Sequence, residues 1–390
     1  MTQKTEKQKE INPWENNMLG VRFRDIHLLI PGLILVSFLT WLSIWLGGFV
    51  GTSLLGFEKS PVSPVMVAII LGITMRSLLP IPAKLDAGLT FSVKKILRLG
   101  IIFLGIRLSI LDVFKLGVYG VPIVVFCIIG ALLITTQINK WLKLPPRLGT
   151  LIAVGTSICG VSAIVAASPA IDADEEESAY AVAVITIFGL FATIFYPFLA
   201  HLIFNGEALK AGLFLGTSIH DTSQVVGAAR IYADIYSQNL TLDVAMVTKL
   251  VRNVFMVLVI PFMSYYYSRQ AAARGGFKGT KPQIMKLFPL FILGFLSMAA
   301  LRSIGDVGLN TGSSAFGIWD AETWDGLITS VKSLANNLLV MALAGVGLRT
   351  NFRSFKTLGI KPFLVGLGAS FTVGLVSYVA ITLLGGFVTY

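Results

Sequence analysis

The sequence predicts an all-α polytopic membrane protein with about 11 transmembrane helices. The 390 residues are 55% hydrophobic and only 13% charged, whereas soluble domains carry about 25% charged residues. The apolar residues come in long runs, and residues 28–50 contain no charged side chain. About 20 apolar residues suffice for a helix to cross a bilayer. A soluble core could not bury this much apolar surface, so we expect the chain to lie in a membrane.

Eleven apolar runs have the length of a span or nearly so. The polar segment 1–26 that precedes them has the composition of a cytoplasmic tail and lacks the features of a cleaved signal peptide. The predicted spans are approximately 27–50, 62–80, 96–112, 117–138, 148–170, 179–203, 208–229, 244–267, 287–304, 327–348 and 362–386.

Lysine and arginine predict the orientation, because they are enriched in cytoplasmic loops. With a cytoplasmic N-terminus, the inner segments hold 23 of the 31 Lys and Arg residues, and the outer segments hold five. The other three, Lys249, Arg252 and Lys332, fall inside predicted spans. We therefore expect a multi-pass membrane protein with its N-terminus in the cytoplasm, its C-terminus outside and the acidic run 172–177 on the outer side. The same rule accounts for the net charge of +11, so no nucleic-acid partner is expected.

An odd number of spans suggests how the chain is divided. If the first span is set aside, two units of five remain, and consecutive five-span units have opposite orientations. Secondary transporters with inverted repeats have this arrangement and bind substrate between the repeats. We predict a tail at 1–26, an extra helix and loop at 27–60, a first repeat at 61–204 and a second repeat at 205–390.

The tetrapeptide Gly-Thr-Ser-Ile occurs twice, at 155–158 and 216–219, inside predicted spans five and seven. The predicted topology runs these two spans in the same direction. Small residues at such places allow close helix packing. Glycines also permit a broken helix, whose freed backbone groups can bind an anion. If the first copy binds a ligand, the candidate residues are Gly155, Thr156, Ser157, Gly160 and Ser162.

The second copy continues into His220 and Asp221. Ionisable residues at membrane depth are costly and are candidate functional residues. Histidine titrates near neutral pH, so His220 and Asp221 are the predicted coupling pair. The alternative is structural, with His220 bonded to a carbonyl and Asp221 capping a helix. The candidate substrate-binding residues of this segment are Gly216, Thr217, Ser218, His220, Thr222, Ser223 and Gln224.

Lys249 and Arg252 are three residues apart and share a helix face. They could extend to the membrane interface or point inward as counter-charges for an anion. Lys332 presents the same alternatives, with Asn336 on its helical stripe and Asn337 beside it. Asp221 is the clear acid among these intramembrane groups, so their balance favours an oxyanion or carboxylate substrate. Lys249, Lys332, Asn336 and Asn337 complete the predicted binding residues.

Several other kinds of chemistry are not indicated. The sequence has no Walker motif, and its three histidines lack the spacing of zinc ligands. Cys127 and Cys159 are far apart and suggest neither a metal site nor a disulfide framework. The adjacent Ser, His and Asp of "SIHDTS" argue against a hydrolase, because catalytic triads combine separated segments. We therefore predict neither an enzyme nor a bound cofactor.

The segments "GTSICGVSAI", "GTSIHDTSQVVGAA", "FLGIRLS" and "AGVGLRTNF" resemble the YeiH family of bacterial inner-membrane proteins, often labelled sulfate exporters. This resemblance implies transport of a small anion. The family is distantly similar to bile-acid–sodium-symporter-type transporters, which implies two inverted five-helix repeats with crossing broken helices. Spans five and ten would then cross, with the first crossover at 155–162. The tenth span offers Asn336, Asn337, Gly345 and Gly347 but no Gly-Thr-Ser copy.

Together, these features predict a secondary transporter, an exporter of sulfate or a related small anion that works by alternating access. The alternative is a sodium-coupled symporter of an organic anion that binds the ion with backbone carbonyls, Asp221, Asn336 and Asn337. A less favoured alternative outside transport is that the protein is a membrane sensor or an intramembrane enzyme. The expected partners are the anion, a proton or sodium ion, the lipid bilayer and a second copy of the chain.

Overall fold

The computed structural model of the chain describes residues 23–54, 62–272, 288–312, 314–350 and 360–388. Most of the predicted tail therefore lies outside the described residues. Apart from turns, 3-10 and π segments and one isolated bridge between Ala315 and Trp319, these residues form α-helices. The α-helices are α1 (Ile30–Gly48), α2 (Pro64–Leu78), α3 (Asp86–Phe91), α4 (Leu97–Leu104), α5 (Ile110–Trp141), α6 (Pro146–Ser157), α7 (Val161–Ala167), α8 (Glu175–Ile203), α9 (Ala208–Ser218), α10 (Thr222–Tyr236), α11 (Asn239–Val254), α12 (Met256–Ala272), α13 (Phe291–Thr311), α14 (Ala321–Arg349) and α15 (Ile360–Leu384).

Familiar local signals begin many of these helices. Proline occupies the first turn of α1, α2 and α6, where its missing N–H group costs no helical hydrogen bond. Capping boxes begin α5 at Ser109, α8 at Asp174 and α10 at Asp221. In each box the side chain of the cap residue satisfies a backbone N–H group that the helix leaves free. These starts divide the apolar runs into separate helices.

The helices pack in two groups. In the first, α14 packs against α2 and α4, α13 packs against α4, and α1 packs against α2. Small residues make this packing close, because a side chain on Gly72 would collide with the backbone around Gly347. In the second group, α11 packs against α5, α9 and α10, and α15 packs against α5, α8 and α9. Helix α10 also touches α2 and α14 of the first group.

Among the described residues, six helices are long and apolar enough to cross a membrane: α1, α5, α8, α13, α14 and α15. The pair α11 and α12, bent by 41°, makes a seventh. Two shorter helical segments, α2 and the consecutive helices α3 and α4, pack against α14. We call the side of the molecule where α1 begins face 1 and the opposite side face 2. Asp86 and Arg349, 3.9 Å apart, both lie at face 1.

Helices α6 and α7 form a hairpin that returns to the face from which it starts. Arg147, at the start of α6, donates to Asp172 at 3.1 Å, and Asp172 follows the end of α7. A chain that had crossed the membrane between these residues would hold them roughly 30 Å apart. We call α6–α7 hairpin 1 and define tip 1 as residues Ile158–Gly160. Hairpin 1 enters from face 1, next to the end of α5.

Helices α9 and α10 form a second hairpin, which enters from face 2. His201, near the end of α8, stacks on Tyr236 of α10 with 3.7 Å between ring centroids. The same histidine ring lies 3.0 Å from the Cβ position of Gly206, just before α9. The start of α9 and the end of α10 are therefore at one face. We call α9–α10 hairpin 2 and define tip 2 as residues Ile219–Asp221.

The hairpins correct the predicted topology. All eleven predicted segments contain helix, but the fifth and seventh turn back, so the predicted number of 11 crossings is wrong within the described residues. The two Gly-Thr-Ser-Ile segments enter from opposite faces, and the prediction that they run in the same direction is also wrong. Asp172 lies at the face of Arg147, and Lys210 lies at the other face, each opposite to its predicted side. Helix α14 is continuous, so the predicted crossing of spans five and ten is replaced by a meeting of hairpins 1 and 2.

Candidate functional site

The two hairpin tips meet inside the second helical group. Gly160 has φ of +63°, a backbone conformation that side chains disfavour. A Cβ atom placed on Gly160 would lie 3.3 Å from the backbone nitrogen of Asp221. The end of α6 and the beginning of α7 therefore lie beside the break between α9 and α10. The helix breaks at Ile158–Gly160 and Ile219–Asp221 confirm the sequence-based interpretation that both Gly-Thr-Ser-Ile segments lead into broken helices.

Asp221 caps the second helix of hairpin 2. Its Oδ1 atom accepts hydrogen bonds from the backbone nitrogen of Ser223 at 2.9 Å and from the hydroxyl of Ser223 at 2.6 Å. The amide oxygen of Gln224 accepts from the backbone nitrogen of Asp221 at 3.1 Å. The side-chain nitrogen of Gln224 donates to the carbonyl of Thr186 on α8. The predicted structural role of Asp221 as a cap is thus confirmed, and Gln224 anchors the cap to α8.

Lys249 of α11 joins the two tips. The residue is fully buried, so the predicted extension to the membrane interface is wrong. Its ammonium nitrogen donates to the carbonyl oxygens of Ile158 at 2.9 Å, Ile219 at 3.0 Å and His220. One carbonyl belongs to tip 1 and two belong to tip 2. Three acceptors use all three donors of an ammonium group.

Arg252 lies one turn further along α11 and is also fully buried. Its guanidinium donates to the carbonyls of Ser157 at 2.8 Å and Thr156 at 2.5 Å in hairpin 1. In hairpin 2 it donates to the carbonyls of Thr217 at 2.6 Å and Ile219 at 3.2 Å. These carbonyls end α6 and α9, where a helix leaves acceptors free and carries partial negative charge. Arg252 therefore stabilises both half-helix ends at once.

His220 is held against α15. Its Nε2 atom lies 2.8 Å from the hydroxyl of Ser370, and the residue is only 2% exposed. Its Nδ1 atom has no hydrogen-bond partner among the described residues. The predicted alternative of a bond from His220 to a neighbouring carbonyl is replaced by this contact with a serine hydroxyl. One ring nitrogen thus remains available to a small polar ligand.

Most hydroxyls of the two motifs bond within the protein. Ser157 and Ser218 donate to carbonyls one turn back in their own helices, a pattern common for helical serine. Thr217 donates to Leu213 at 2.6 Å and lies 2.6 Å from the hydroxyl of Ser377. The exception is the buried Thr156 Oγ1 atom, which has no partner in the described part of the chain.

Thr222 and Asn253 connect hairpin 2 to α11 in a second way. The side-chain nitrogen of Asn253 donates to the hydroxyl of Thr222 at 3.1 Å. The Oδ1 atom of Asn253 is buried and lacks a partner among the described residues. Together with Thr156 and His220, Asn253 gives the tip region three buried polar side chains with unused bonding capacity. Buried polar atoms of this kind call for an explanation, such as a water or a ligand.

The other small residues of the motifs have different roles. A side chain on Gly216 would lie 2.8 Å from the carbonyl of Ala245, and one on Gly155 would collide with Ile164. Both glycines therefore allow close helix packing, as the simpler interpretation predicted. Ser162 is exposed on α7.

Three predicted binding residues lie elsewhere, on α14. Asn336 accepts a hydrogen bond from Arg230 at 2.9 Å, and Asn337 is exposed. The charged groups that interact electrostatically with Lys332 are Arg302, Arg107, Asp243 and Asp325. The structure thus places Lys332, Asn336 and Asn337 in a polar region toward face 2, apart from the tips.

Some residues around the site were not predicted. Ser370 and Ser377 of α15 contact His220 and Thr217, but single serines in an apolar run carry no distinguishing signal. Arg107 forms a two-point ion pair with Asp243, at 2.6 and 3.3 Å, which fixes the start of α11. This pair joins residues that are distant in sequence, so no local spacing could reveal it.

The chain matches the family model described as "conserved hypothetical protein 698" over residues 31–366. The chain belongs to this family. A UPF0324 membrane protein of Streptococcus pneumoniae serotype 4 is 36% identical over 340 residues, which cover 86% of this chain and 91% of the relative. UPF0324 membrane proteins of Clostridium tetani and Fusobacterium nucleatum are 35% and 31% identical, covering 82% and 79% of this chain and 88% and 87% of the relatives. No solved structure matches the chain.

Family membership confirms the predicted membrane location, because the relatives are membrane proteins, and agrees with the apolar helices. It also confirms the resemblance inferred from the motifs. The family name carries no substrate, so the chemistry must come from the tips. No group of three potential metal-ligating side chains occurs among the described residues. A groove of about 350 Å³ lies between α5 and the bend of α11–α12, but its lining is apolar and offers no charged side chain to a ligand.

The charges at the tips are unequal. Lys249 and Arg252 are cations, Asp221 is the one carboxylate beside them, and His220 counts as neutral. Among the described residues, neither cation has a carboxylate within ion-pair distance. With these charges, the tip region of the protein has a net charge of about +1 inside the membrane. Each charged group at this depth costs roughly 2.5 kcal/mol or more.

Proposed function

We propose that this protein is a secondary transporter, an exporter of a small anion that works by alternating access across the bacterial inner membrane. The observation that supports this proposal is the pair of fully buried cations, Lys249 and Arg252, with a single carboxylate at the meeting of two hairpin tips. A net positive charge in a low-dielectric region attracts an anion strongly. Sulfate and related sulfur oxyanions are the first candidates, because the sequence resembles a family labelled as sulfate exporters.

The cations act on the anion mainly through their field. All three donors of Lys249 and four of the five N–H groups of Arg252 already donate to backbone carbonyls. Direct hydrogen bonds come from groups with unused capacity, namely the hydroxyl of Thr156 and the ring nitrogen of His220. Two hairpins that enter from opposite faces give each face its own barrier to the tips. Opening one barrier at a time is the requirement of alternating access.

His220 and Asp221 are the proposed coupling residues. His220 is the histidine at the tips, and its burial beside Lys249 and Arg252 disfavours the protonated ring. A bound anion would offset the field of these two cations, so the ring could gain a proton as the anion binds and lose it as the anion leaves. Asp221 keeps α10 capped while its carboxylate offsets part of the charge of Lys249, with which it interacts electrostatically. Proton coupling is therefore preferred here over sodium coupling. The proposed orientation has a cytoplasmic N-terminus, because moving Lys210 to the outer side leaves most Lys and Arg residues on the inner side.

Flux measurements in proteoliposomes test the proposal. Labelled sulfate, sulfite and small sulfonates are offered with and without a pH gradient or a sodium gradient. We expect flux of at least one of these anions to respond to the pH gradient. The absence of flux for every anion under every gradient would rule out transport of this class.

A pair of variants tests the role of the buried charge. Arg252→Gln removes one tip cation, and we expect flux to fall roughly tenfold or more, the effect of about 1.4 kcal/mol. Arg349→Gln is the matched control, since Arg349 is partly exposed and 3.9 Å from Asp86 at face 1. It makes the same charge change away from the tips and should leave flux near the level of the unmodified protein.

A further inference from the structure

The surroundings of the Lys249 ammonium group resemble a cation site. Three carbonyl oxygens, those of Ile158, Ile219 and His220, converge on one nitrogen atom. They come from the unwound tips of both hairpins, so no single helix provides the set. Transporters with broken helices coordinate free coupling cations with carbonyls of this kind. Here the position is filled by a side chain of the protein.

We infer that the ammonium group of Lys249 is a built-in replacement for a free monovalent cation at the meeting of the two tips. It carries one positive charge, and its three donors match the three carbonyls. The native protein therefore needs no sodium ion to hold the tips together. A variant without this side chain should bind a small monovalent cation or a primary ammonium ion in the vacated space.

The charge of the site supports a monovalent ligand. The hydrogen bonds of the ammonium group among the described residues all go to neutral carbonyls, whereas calcium sites in proteins include carboxylates. The nearest carboxylate, Asp221, uses its Oδ1 atom on Ser223 to cap α10. Lys249 is fully buried, so the space left by its removal is enclosed by protein. Replacing Lys249 by an uncharged residue removes one positive charge, and a monovalent cation supplies the same charge.

Arg252 does not have this role. Its guanidinium spreads four hydrogen bonds over the ends of α6 and α9, and a spherical ion could not reproduce this planar arrangement. The ammonium of Lys249 is compact and its acceptors surround one atom. The two neighbouring cations thus differ in whether a free ion can replace them. This difference makes Lys249 the position to test.

The test measures the thermal unfolding midpoint of detergent-solubilised full-length Lys249→Ala. The salts are methylammonium, ammonium, sodium and choline chlorides at equal ionic strength. Methylammonium reproduces the end of the lysine side chain. We expect at least one of the three small cations to raise the midpoint by roughly 3 °C or more relative to choline, and the unmodified protein to show no such difference.

Lys249→Met is the matched control, because its side chain fills the space and removes the charge. It should be destabilised and should not distinguish small cations from choline. Lys249→Gln supplies amide donors in place of the ammonium and should fold without a preferred cation. A Lys249→Ala midpoint that is the same in all four salts would overturn the inference. The inference would also be overturned if the same cations raised the unfolding midpoint of Lys249→Met, or if Lys249→Ala failed to fold in all four salts.

One consequence rests on the proposed function. If the protein transports an anion, flux through the unmodified protein should be equal in sodium and choline. Sodium-dependent flux in the unmodified protein would overturn the inference but not the transport proposal. Absence of all flux would overturn the transport proposal, while the cation-dependent stability of Lys249→Ala would still support the site.

Discussion

Arg147 and Asp172 form a 3.1 Å ion pair at face 1, although the whole of hairpin 1 separates them in sequence. Both side chains are partly exposed, at 38% and 47%. An exposed pair of this kind adds little stability. Its value lies in what it shows about the path of the chain. The apolar run between these residues enters the molecule and returns.

This path predicts the result of cysteine labelling. In a background with Cys127 and Cys159 replaced, Arg147→Cys and Asp172→Cys should react with a membrane-impermeant thiol reagent from the same side of oriented vesicles. Glu207→Cys, whose native side chain is 48% exposed, should react from the opposite side. A topology of eleven crossings requires Arg147→Cys and Glu207→Cys to react from one side and Asp172→Cys from the other.

Gly160→Ala should destabilise the meeting of the tips. An alanine would meet the backbone of Asp221 and the side chain of Ile185, both 3.3 Å from the new Cβ atom, and would require an unfavourable φ. Such backbone strain costs about 1–3 kcal/mol. Gly317→Ala is the control, because Gly317 has φ of +71° and no atom within 4 Å of the Cβ position. Thermal unfolding should show the larger loss for Gly160→Ala, and equal losses would contradict a specific contact between the tips.

Asp221→Asn and Asp221→Ala separate the cap from the charge. Asparagine also caps helices well, whereas alanine costs about 1 kcal/mol at this position. We expect Asp221→Ala to lower the free energy of unfolding by about that amount and Asp221→Asn to change it by less. In flux assays both variants should lose the response to a pH gradient. A full response in Asp221→Asn would show that the carboxylate has no part in coupling.

His220→Ala should remove the pH dependence of transport, since the substitution removes the one histidine at the tips. The comparison variant is Ser370→Ala, which removes the partner of Nε2 but keeps the ring. Flux is measured across a range of pH values with no imposed gradient and then with one. We expect Ser370→Ala to shift the pH profile and His220→Ala to flatten it. An unchanged profile in His220→Ala would exclude the proposed coupling role.

Arg107→Met should strongly destabilise the protein. It leaves the Asp243 carboxylate, 11% exposed, without its main partner, and breaking such a buried pair costs roughly 3–5 kcal/mol. Adding Asp243→Leu should recover much of this loss, because no unpaired charge then remains. Denaturation of the two variants and the native protein measures the difference. A double variant as unstable as Arg107→Met would mean that packing, rather than charge, makes the pair important.

Composition and hydropathy predicted the helical segments, because apolar length alone determines them. They could not predict the hairpins. Residues 148–170 have the length of one span, and only the break at Ile158–Gly160 divides them into α6 and α7. A helix of 12 residues is about 18 Å long and cannot cross a core of about 30 Å. The sequence marks the break with glycines but does not show the direction of the chain beyond it.

The site was partly predictable for a related reason. Gly-Thr-Ser-Ile, His220 and Asp221 stand out because polar groups are rare at membrane depth. Lys249 and Arg252 stand out for the same reason, but their acceptors are backbone carbonyls, which every residue has. Sequence therefore identified the donors and not their partners. Lys332 carries an equally strong sequence signal and lies elsewhere, since charge alone does not show which helix faces the tips.

Lys249 and Arg252 place both hairpins on one turn of α11, through seven hydrogen bonds to backbone carbonyls. The two barriers, hairpins 1 and 2, are consequently linked to each other through α11. Pulling both tips apart at once would leave two unpaired charges in the membrane, a penalty far larger than thermal energy. Under the proposed transport cycle this linkage forbids a continuous pore. It would protect the proton gradient of the cell from leakage in every conformation that keeps α11 attached to both hairpins.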